Sequence, residues 1–238
     1  SFVAGARNKS NQSLLSSQQT KGNYVPSSND FQGYITWQPN AKWMFEGMTN
    51  LSRTQFKLNP EFSSQTASVF SPFFTANLGL DIYFAGGERD QYSTTMFGIA
   101  ANHQPRKNLK LKWMLSQFSN NERESFDIQG AYLFGERDFD RSRASFGLIV
   151  SPLGAGVFQN FARNRLNIQI QNATHKGSLE KGKHFFQWGN SFERQTISDK
   201  LNEWELKDSA GYTLPFNPNL LQLSKVIKST SDFSFFRT

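Results

Sequence analysis

Cysteine is absent from the 238 residues of this chain, so disulfides and thiolate ligands are excluded. Long apolar runs are absent too: residues 146–150 form one of the longest, far below the roughly 18 residues that a membrane-spanning helix needs. The second absence excludes a helical membrane protein. It does not exclude a protein that crosses a membrane with strands, because alternating strands keep the average hydropathy low.

Common catalytic motifs are also missing. The sequence has no HExxH pair, no GxSxG elbow and no phosphate-binding loop. Its three histidines, His103, His175 and His184, lie beside predicted turns or at a strand start, where interface or turn roles are expected. We therefore predict no enzyme activity and no cofactor.

Clustered basic charge is a further absence. The chain has 26 Lys and Arg against 19 Asp and Glu, a net charge of +7, which can suit nucleic acid or an anionic membrane surface. No run of five basic residues occurs, however, and cations stand beside acids, as in Glu88-Arg89-Asp90. This scatter predicts that nucleic acid is not a partner.

What the sequence does contain is a period-two pattern, clearest over residues 30–51. Odd positions are apolar and even positions mostly polar on both sides of a Pro39-Asn40-Ala41-Lys42 turn; the apolar set is Phe31, Ile35, Trp37, Trp43, Phe45 and Leu51. Alternation on either side of a short turn predicts a β-hairpin. Each arm approaches the roughly 9–11 residues with which a tilted strand crosses a bilayer. The two tryptophans flank the turn, as in the aromatic girdle of an outer-membrane barrel.

The same pattern recurs along the chain. It predicts strands over residues 2–14, 94–103, 109–118, 162–174 and 184–194, short turns at 104–108 and 175–183, and a polar connection at 16–29. Short turns of a membrane barrel lie on its periplasmic side and long loops on the other. That parity makes residues 52–91 one extracellular loop, with 78–84 as an arm and 86–90 as a turn. Residues 119–161 form a second excursion, and the segment after 195 forms a third that does not return.

The predicted fold class is all-β: an antiparallel transmembrane β-barrel segment with about seven spanning strands and long extracellular loops. Seven strands cannot close, because an open edge in lipid leaves backbone groups unpaired at several kcal/mol each. We therefore expect residues 1–238 to be a partial barrel domain of a longer chain, without a plug domain or a signal peptide. A soluble sheet with one packed face is the alternative.

An ordered set of motifs resembles the barrel of TonB-dependent outer-membrane receptors from Bacteroidetes. The motifs are SFVAGAR (1–7), TKGNY (20–24), DFQGY (30–34), KWMF (42–45), YFAGGERD (83–90), KNLKL (107–111), FDIQG (126–130), ARNRL (162–166), HKG (175–177), QWG (187–189), LNEW (201–204) and DSAGYTLP (208–215). Together they extend over nearly the whole chain.

The resemblance implies a 22-stranded barrel, occluded by an N-terminal plug, that imports scarce ligands across the outer membrane with energy from the inner membrane. The partners it implies are outer-membrane lipid, the plug and remaining strands, the TonB complex acting through the plug, an unknown extracellular ligand and a surface lipoprotein. No plug or TonB-interacting box is recognised in this sequence, so no energy-coupling residue is assigned. A small self-contained outer-membrane barrel with a structural or adhesive role and a soluble β-rich binding module are the other interpretations.

The tetrapeptide Gly-Glu-Arg-Asp occurs twice, in both cases within a predicted extracellular loop. The candidate ligand-binding residues are Glu88, Arg89 and Asp90 in the first copy and Glu136, Arg137 and Asp138 in the second. They predict a mixed-charge ligand surface or a divalent-cation surface, since oxygen ligands suit Ca²⁺. Ordinary turn chemistry with a solvated ion pair is the alternative.

Three charged residues fall on the polar side of the alternation. Glu46, Lys110 and Lys112 should face the lumen, because Lys on the lipid face would cost roughly 2–4 kcal/mol at the bilayer midplane. There they could meet a translocating solute or pair with a plug.

Overall fold

Every regular element of the described chain is a β-strand, and the strands form one antiparallel sheet. A computed structural model describes residues 1–10, 22–71, 74–208 and 225–237. The strands are β1 (Phe2–Ser10), β2 (Gly22–Tyr24), β3 (Ser27–Asn40), β4 (Trp43–Pro60), β5 (Ser63–Ser71), β6 (Phe74–Arg106), β7 (Leu109–Arg137), β8 (Ile149–Lys181), β9 (His184–Asp208) and β10 (Lys225–Arg237). Within these ranges no helix is long and apolar enough to cross a membrane.

Strand order follows chain order along the sheet. The path is β1-β3-β4-β6-β7-β8-β9-β10, with the short β2 beside β4 and β5 beside β6. Over the described residues the sheet is open, because β1 pairs only with β3 and β10 only with β9. The all-β antiparallel prediction is therefore confirmed.

Three two-residue turns close one end of the sheet. They are Ala41-Lys42, Lys107-Asn108 and Gly182-Lys183. Each lies within one of the three predicted short turns, which are confirmed but contain fewer residues than predicted. In the first, Asn40 Oδ1 accepts hydrogen bonds from the backbone N–H groups of Lys42 (2.9 Å) and Trp43 (3.0 Å), an Asx-turn that replaces part of the ladder. In the third, Gly182 has a φ of +62°, a conformation that glycine adopts without steric cost.

The predicted long loops are wrong: most of their residues extend the strands. Residues 52–91 continue β4, add the β5 hairpin and enter β6, while 119–137 and 149–161 belong to β7 and β8. The segment after 195 does return, since β10 pairs with β9 from Lys225 to Arg237. The main path thus has eight strands rather than seven. The loop prediction rests on the parity of the short turns and not on the residue pattern, since Leu78, Leu80, Ile82 and Phe84 do alternate within 52–91.

Two smaller predictions near the beginning also change. The strand predicted over 2–14 is described as β1 as far as Ser10, and 11–14 lie outside the described residues. Part of the connection predicted over 16–29 belongs to β2 and β3. The extended strands reach far from the turns: at about 3.3 Å per residue, the 33 residues of β6 extend over roughly 110 Å, against about 30 Å for a bilayer core.

The predicted turn at 86–90 is wrong as well, and its glycines have a different role. β6 pairs with β5 over residues 74–82 and with β4 over residues 88–103. Gly86 and Gly87 therefore lie where the partner of β6 changes. Gly86 has a φ of +88°, and a Cβ there would overlap the carbonyl oxygen of Asp127 on β7. The glycine lets the strand change partners without breaking its ladder with β7.

We predict that Gly86→Ala lowers the free energy of unfolding by about 2–4 kcal/mol, because it combines left-handed strain with overpacking. Gly154→Ala in β8 is the matched control, since no atom lies within 4 Å of its added Cβ. Urea unfolding of the purified intact protein, followed by tryptophan fluorescence, measures both. Equal midpoints for the two variants would contradict this account of Gly86.

Candidate functional site

One face of the sheet is apolar near the turns, and none of the described residues packs over it. Trp37, Ile99 and Leu115 are 63%, 61% and 54% exposed. The register places them on the same face with other exposed apolar side chains, namely Phe31, Ile35, Leu51, Phe97, Trp188 and Phe192. We call this set the apolar band. Among the described residues only Ile128 and Ala162 are buried hydrophobic side chains, so the sheet has almost no core.

An aromatic row borders the apolar band on its turn side. Trp43 stacks on His103 with ring centroids 3.9 Å apart, and Trp113 stacks on His175 at 5.2 Å. Trp188 Nε1 donates a hydrogen bond to His175 Nε2 (3.2 Å), so the row crosses five neighbouring strands from β4 to β9. Two of the three histidines thus have packing roles within this row.

The opposite face carries a paired polar network at the same level. Glu46 accepts hydrogen bonds from Tyr34 Oη (2.5 Å) and Asn102 Nδ2 (2.7 Å), and it forms an ion pair with Lys112 Nζ (3.2 Å). Lys110 lies on this face too, two residues from Lys112, and both border a depression of about 410 Å³ near the turns. Glu46, Lys110 and Lys112 therefore share the face opposite the apolar band. We call it the polar face.

The first Gly-Glu-Arg-Asp copy lies inside β6, where alternation separates its charges. Glu88 and Asp90 point to the polar face, while Arg89 lies on the other. Glu124 of β7 is directly opposite Asp90, which brings three carboxylates together. One oxygen from each lies within 4.8 Å of the other two. The structure thus joins Glu88 and Asp90 to a residue that sequence reasoning missed, and it separates Arg89 from them.

Glu88 and Asp90 lie farther from the turns than the apolar band, and the pKa of each is raised. Burial, followed by the negative charge of Asp90, raises the pKa of Glu88 to about 7. Burial is also the main cause that raises the pKa of Asp90, to which the charge of Glu124 adds. Asn164 Nδ2 donates to Glu124 Oε2 (2.8 Å) and to Glu203 Oε1 (2.6 Å), so an amide bridges two acids.

In the second copy, Arg137 and Asp138 make contacts that hold the fold itself together. Arg137 pairs with Asp81 at 2.5 Å, and both side chains are only 9% exposed; Arg137 also donates to the carbonyl of Gly147 (2.6 Å). Asp138 accepts hydrogen bonds from the Asp140 N–H (2.8 Å) and from Ser145 Oγ (2.6 Å), which orders the 138–148 connection. Glu136 is exposed and lies opposite Leu78, ten residues along β6 from Glu88. The two copies are therefore roughly 33 Å apart and form no joint site.

Basic side chains follow the apolar band on its own face, away from the turns. Arg123, Arg165 and Lys200 are direct neighbours across β7, β8 and β9, and Lys57 is opposite Arg89 across β4 and β6. All five are exposed, and none forms an ion pair with a described carboxylate. We call them the basic belt. The alternating charges of Glu122-Arg123-Glu124 are the sequence signal from which part of this belt could have been predicted.

Comparison with protein-family models, with curated proteins and with solved structures finds no match to this chain.

We predict that Asp81→Asn lowers the free energy of unfolding by about 3 kcal/mol, because it leaves the Arg137 charge buried and unpaired. Asp127→Asn is the control: its pair with Arg163 is equally short (2.5 Å) but 41% and 44% exposed, so about 1 kcal/mol or less is expected. Urea unfolding at pH 7 measures both.

Acid should remove the difference in the free energy of unfolding between the parent and Asp81→Asn. Burial alone would raise the Asp81 pKa, but the Ser64 hydrogen bond and the Arg137 charge outweigh it and lower that pKa. The stabilisation is therefore present above the ordinary value of 3.8 and is lost as the pH falls through the lowered pKa. A difference that persists at pH 2 would count against this assignment.

Proposed function

We propose that this chain is the barrel portion of an outer-membrane receptor that binds an extracellular ligand for energised import. The observation that carries the proposal is the uncovered apolar band, which lies directly behind the paired Glu46 network on a sheet with almost no core. A soluble sheet of this size would bury one face against a second layer. A lipid-facing strand of a transmembrane barrel instead alternates apolar outward and polar inward.

The height and borders of the band support a membrane location. On β4 the aromatic row and the band together extend from Trp43 to Leu51, about 26 Å along the strand. Tilting by 35–45° leaves roughly 20 Å, comparable with the roughly 25 Å apolar belt of outer-membrane barrels. The aromatic row borders it near the short turns, where a periplasmic girdle would lie. The basic belt borders it on the far side, where anionic headgroups of the outer leaflet would meet Arg123, Arg165 and Lys200.

The open edges of the sheet support a larger closed assembly. β1 and β10 each have one described neighbour, and in lipid each unpaired backbone group costs several kcal/mol. Further strands of the same barrel would complete the pairing. In this proposal a plug fills the lumen against the polar face, and the TonB complex acts through that plug. A surface lipoprotein is a further partner, and the ligand meets the carboxylate-rich outer part of the polar face.

Adjacent cysteines on β7 test the membrane-facing assignment. Leu115 lies in the apolar band and Ser116 on the polar face, opposite Gly98 and Asn172. These 238 residues contain no cysteine, so a thiol introduced into the intact protein in lipid vesicles reports one position. We predict that Ser116→Cys reacts with a water-soluble maleimide. For Leu115→Cys we predict little reaction, and quenching of an attached fluorophore by nitroxide-labelled lipid. The parent without an added thiol is the control.

Reaction of both thiols with the maleimide, without lipid quenching, would overturn the membrane proposal in favour of a soluble β-rich module. The mass of the polypeptide made by its host separates the two barrel interpretations. A mass several times 27.1 kDa would support the receptor. A mass near that value would favour a small self-contained barrel with a structural or adhesive role.

A further inference from the structure

Three carboxylates of the polar face lie together, and no described basic side chain pairs with them. Asp90 and Glu124 are directly opposite on β6 and β7, and Glu88 lies two residues along β6 on the same face. Like charges directly opposite each other destabilise a sheet. Among the described residues no Lys or Arg pairs with any of the three. Their basic sequence neighbours, Arg89 and Arg123, point to the opposite face.

A second observation separates this cluster from an ordinary acidic surface. Asp90 is only 8% exposed, and its Oδ1 has no hydrogen-bond partner among the described residues. A buried carboxylate oxygen is costly unless it is hydrogen-bonded, paired or bound to a metal. The carboxylates of Glu88 and Glu124 lie beside Asp90, and one carboxylate can satisfy another only through a shared proton or a shared cation.

We propose that Glu88, Asp90 and Glu124 bind a divalent cation of the calcium type. All three donors are hard carboxylate oxygens, with no His or Cys, a set that suits Ca²⁺ and not Zn²⁺. Glu124 is exposed and Glu88 is half-buried, so water can complete the six to eight oxygen ligands that Ca²⁺ takes. Asn164 holds one Glu124 oxygen at 2.8 Å, a supporting contact that orients the ligand.

The site would cross-link two strands outside the proposed membrane band. It joins β6 to β7 four residues from Gly86, close to the point where β6 exchanges β4 for β5. A cation would turn the repulsion between the strands into an attraction at that point. This role depends on the sheet alone and not on membrane insertion.

Terbium luminescence tests the site in the intact protein after chelator treatment. The Tyr92 ring lies on the same face, opposite Glu122 and two residues from Asp90, so excitation of tyrosine should sensitise bound Tb³⁺. We expect saturable binding that Ca²⁺ displaces. Glu124→Gln should weaken Tb³⁺ affinity at least about tenfold. Glu122→Gln is the matched control, because Glu122 is on the same strand and face but hydrogen-bonds Asn120 (2.7 Å); it should change affinity little.

The free energy of unfolding provides an independent readout. Ca²⁺ should raise the urea midpoint of the parent and leave that of Glu124→Gln unchanged. Without cation Glu124→Gln should be the more stable protein, since it removes a like charge, so a folding defect is distinguishable from a lost ligand.

Three outcomes would overturn the proposal: equal Tb³⁺ affinity in the parent and Glu124→Gln, equal loss in Glu122→Gln, or no Ca²⁺ effect on the parent midpoint. The first would remove Glu124 from the ligand set, and the third would leave a shared proton to neutralise the cluster. None of these results bears on the cysteine experiment. The cation site and the membrane location can therefore fail separately.

Discussion

Backbone pairing between neighbouring strands is the interaction on which the rest of this structure depends. With Ile128 and Ala162 as the only buried hydrophobic side chains among the described residues, core packing cannot fix how the strands lie. The two-residue turns set the register instead, and the register decides which face each side chain occupies. A one-residue slip of β4 would place Glu46 among exposed aromatic rings and Phe45 beside Lys112. The Glu46 network and the apolar band therefore stabilise the same alignment from opposite faces.

The part of the fold that the sequence predicted is the part in which the two faces differ. Residues 30–51, 94–103 and 109–118 alternate because one face is apolar and the other polar, and that contrast also located the short turns. Beyond the band the contrast fades, since Gln117, Ser119 and Asn121 replace Trp113 and Leu115 on the same face. The backbone continues to pair there. The parity of the short turns assigns even the alternating stretch 78–84 to a loop, so the strand extensions were not predicted. The glycines at 86–87 resembled a turn for a related reason: glycine permits a turn and equally permits a strand to change partners.

The carboxylate cluster could have been predicted from the sequence only by assuming that β6 and β7 pair without a break. The hydrophobic pattern gave no reason for that assumption. Equal steps outward from the pair His103 and Leu111 arrive at Asp90 and Glu124, provided that the ladder is unbroken. A turn at residues 86–90, as the sequence predicts, leaves Glu124 without a partner. The repeat of Gly-Glu-Arg-Asp suggested one shared role for both copies. Their environments differ because Glu88 faces acids, whereas Arg137 meets a buried Asp81.

The order of surfaces along the strands bears on what the sheet contacts. From the turns outward, one face presents an aromatic row, the apolar band and the basic belt, while the other presents lysines, the Glu46 network and the carboxylate cluster. A protein layer covering the first face would need to match the apolar band and then supply acids against Arg123 and Arg165. A bilayer supplies both without a matched partner, because its hydrocarbon interior is followed by anionic headgroups. Arg123 lies on the face of the apolar band and Glu124 on the polar face at the same height along β7, so their opposite charges follow from alternation alone. A strand that presents basic side chains on one face necessarily turns the intervening acids towards the other, where the proposed cation would hold them.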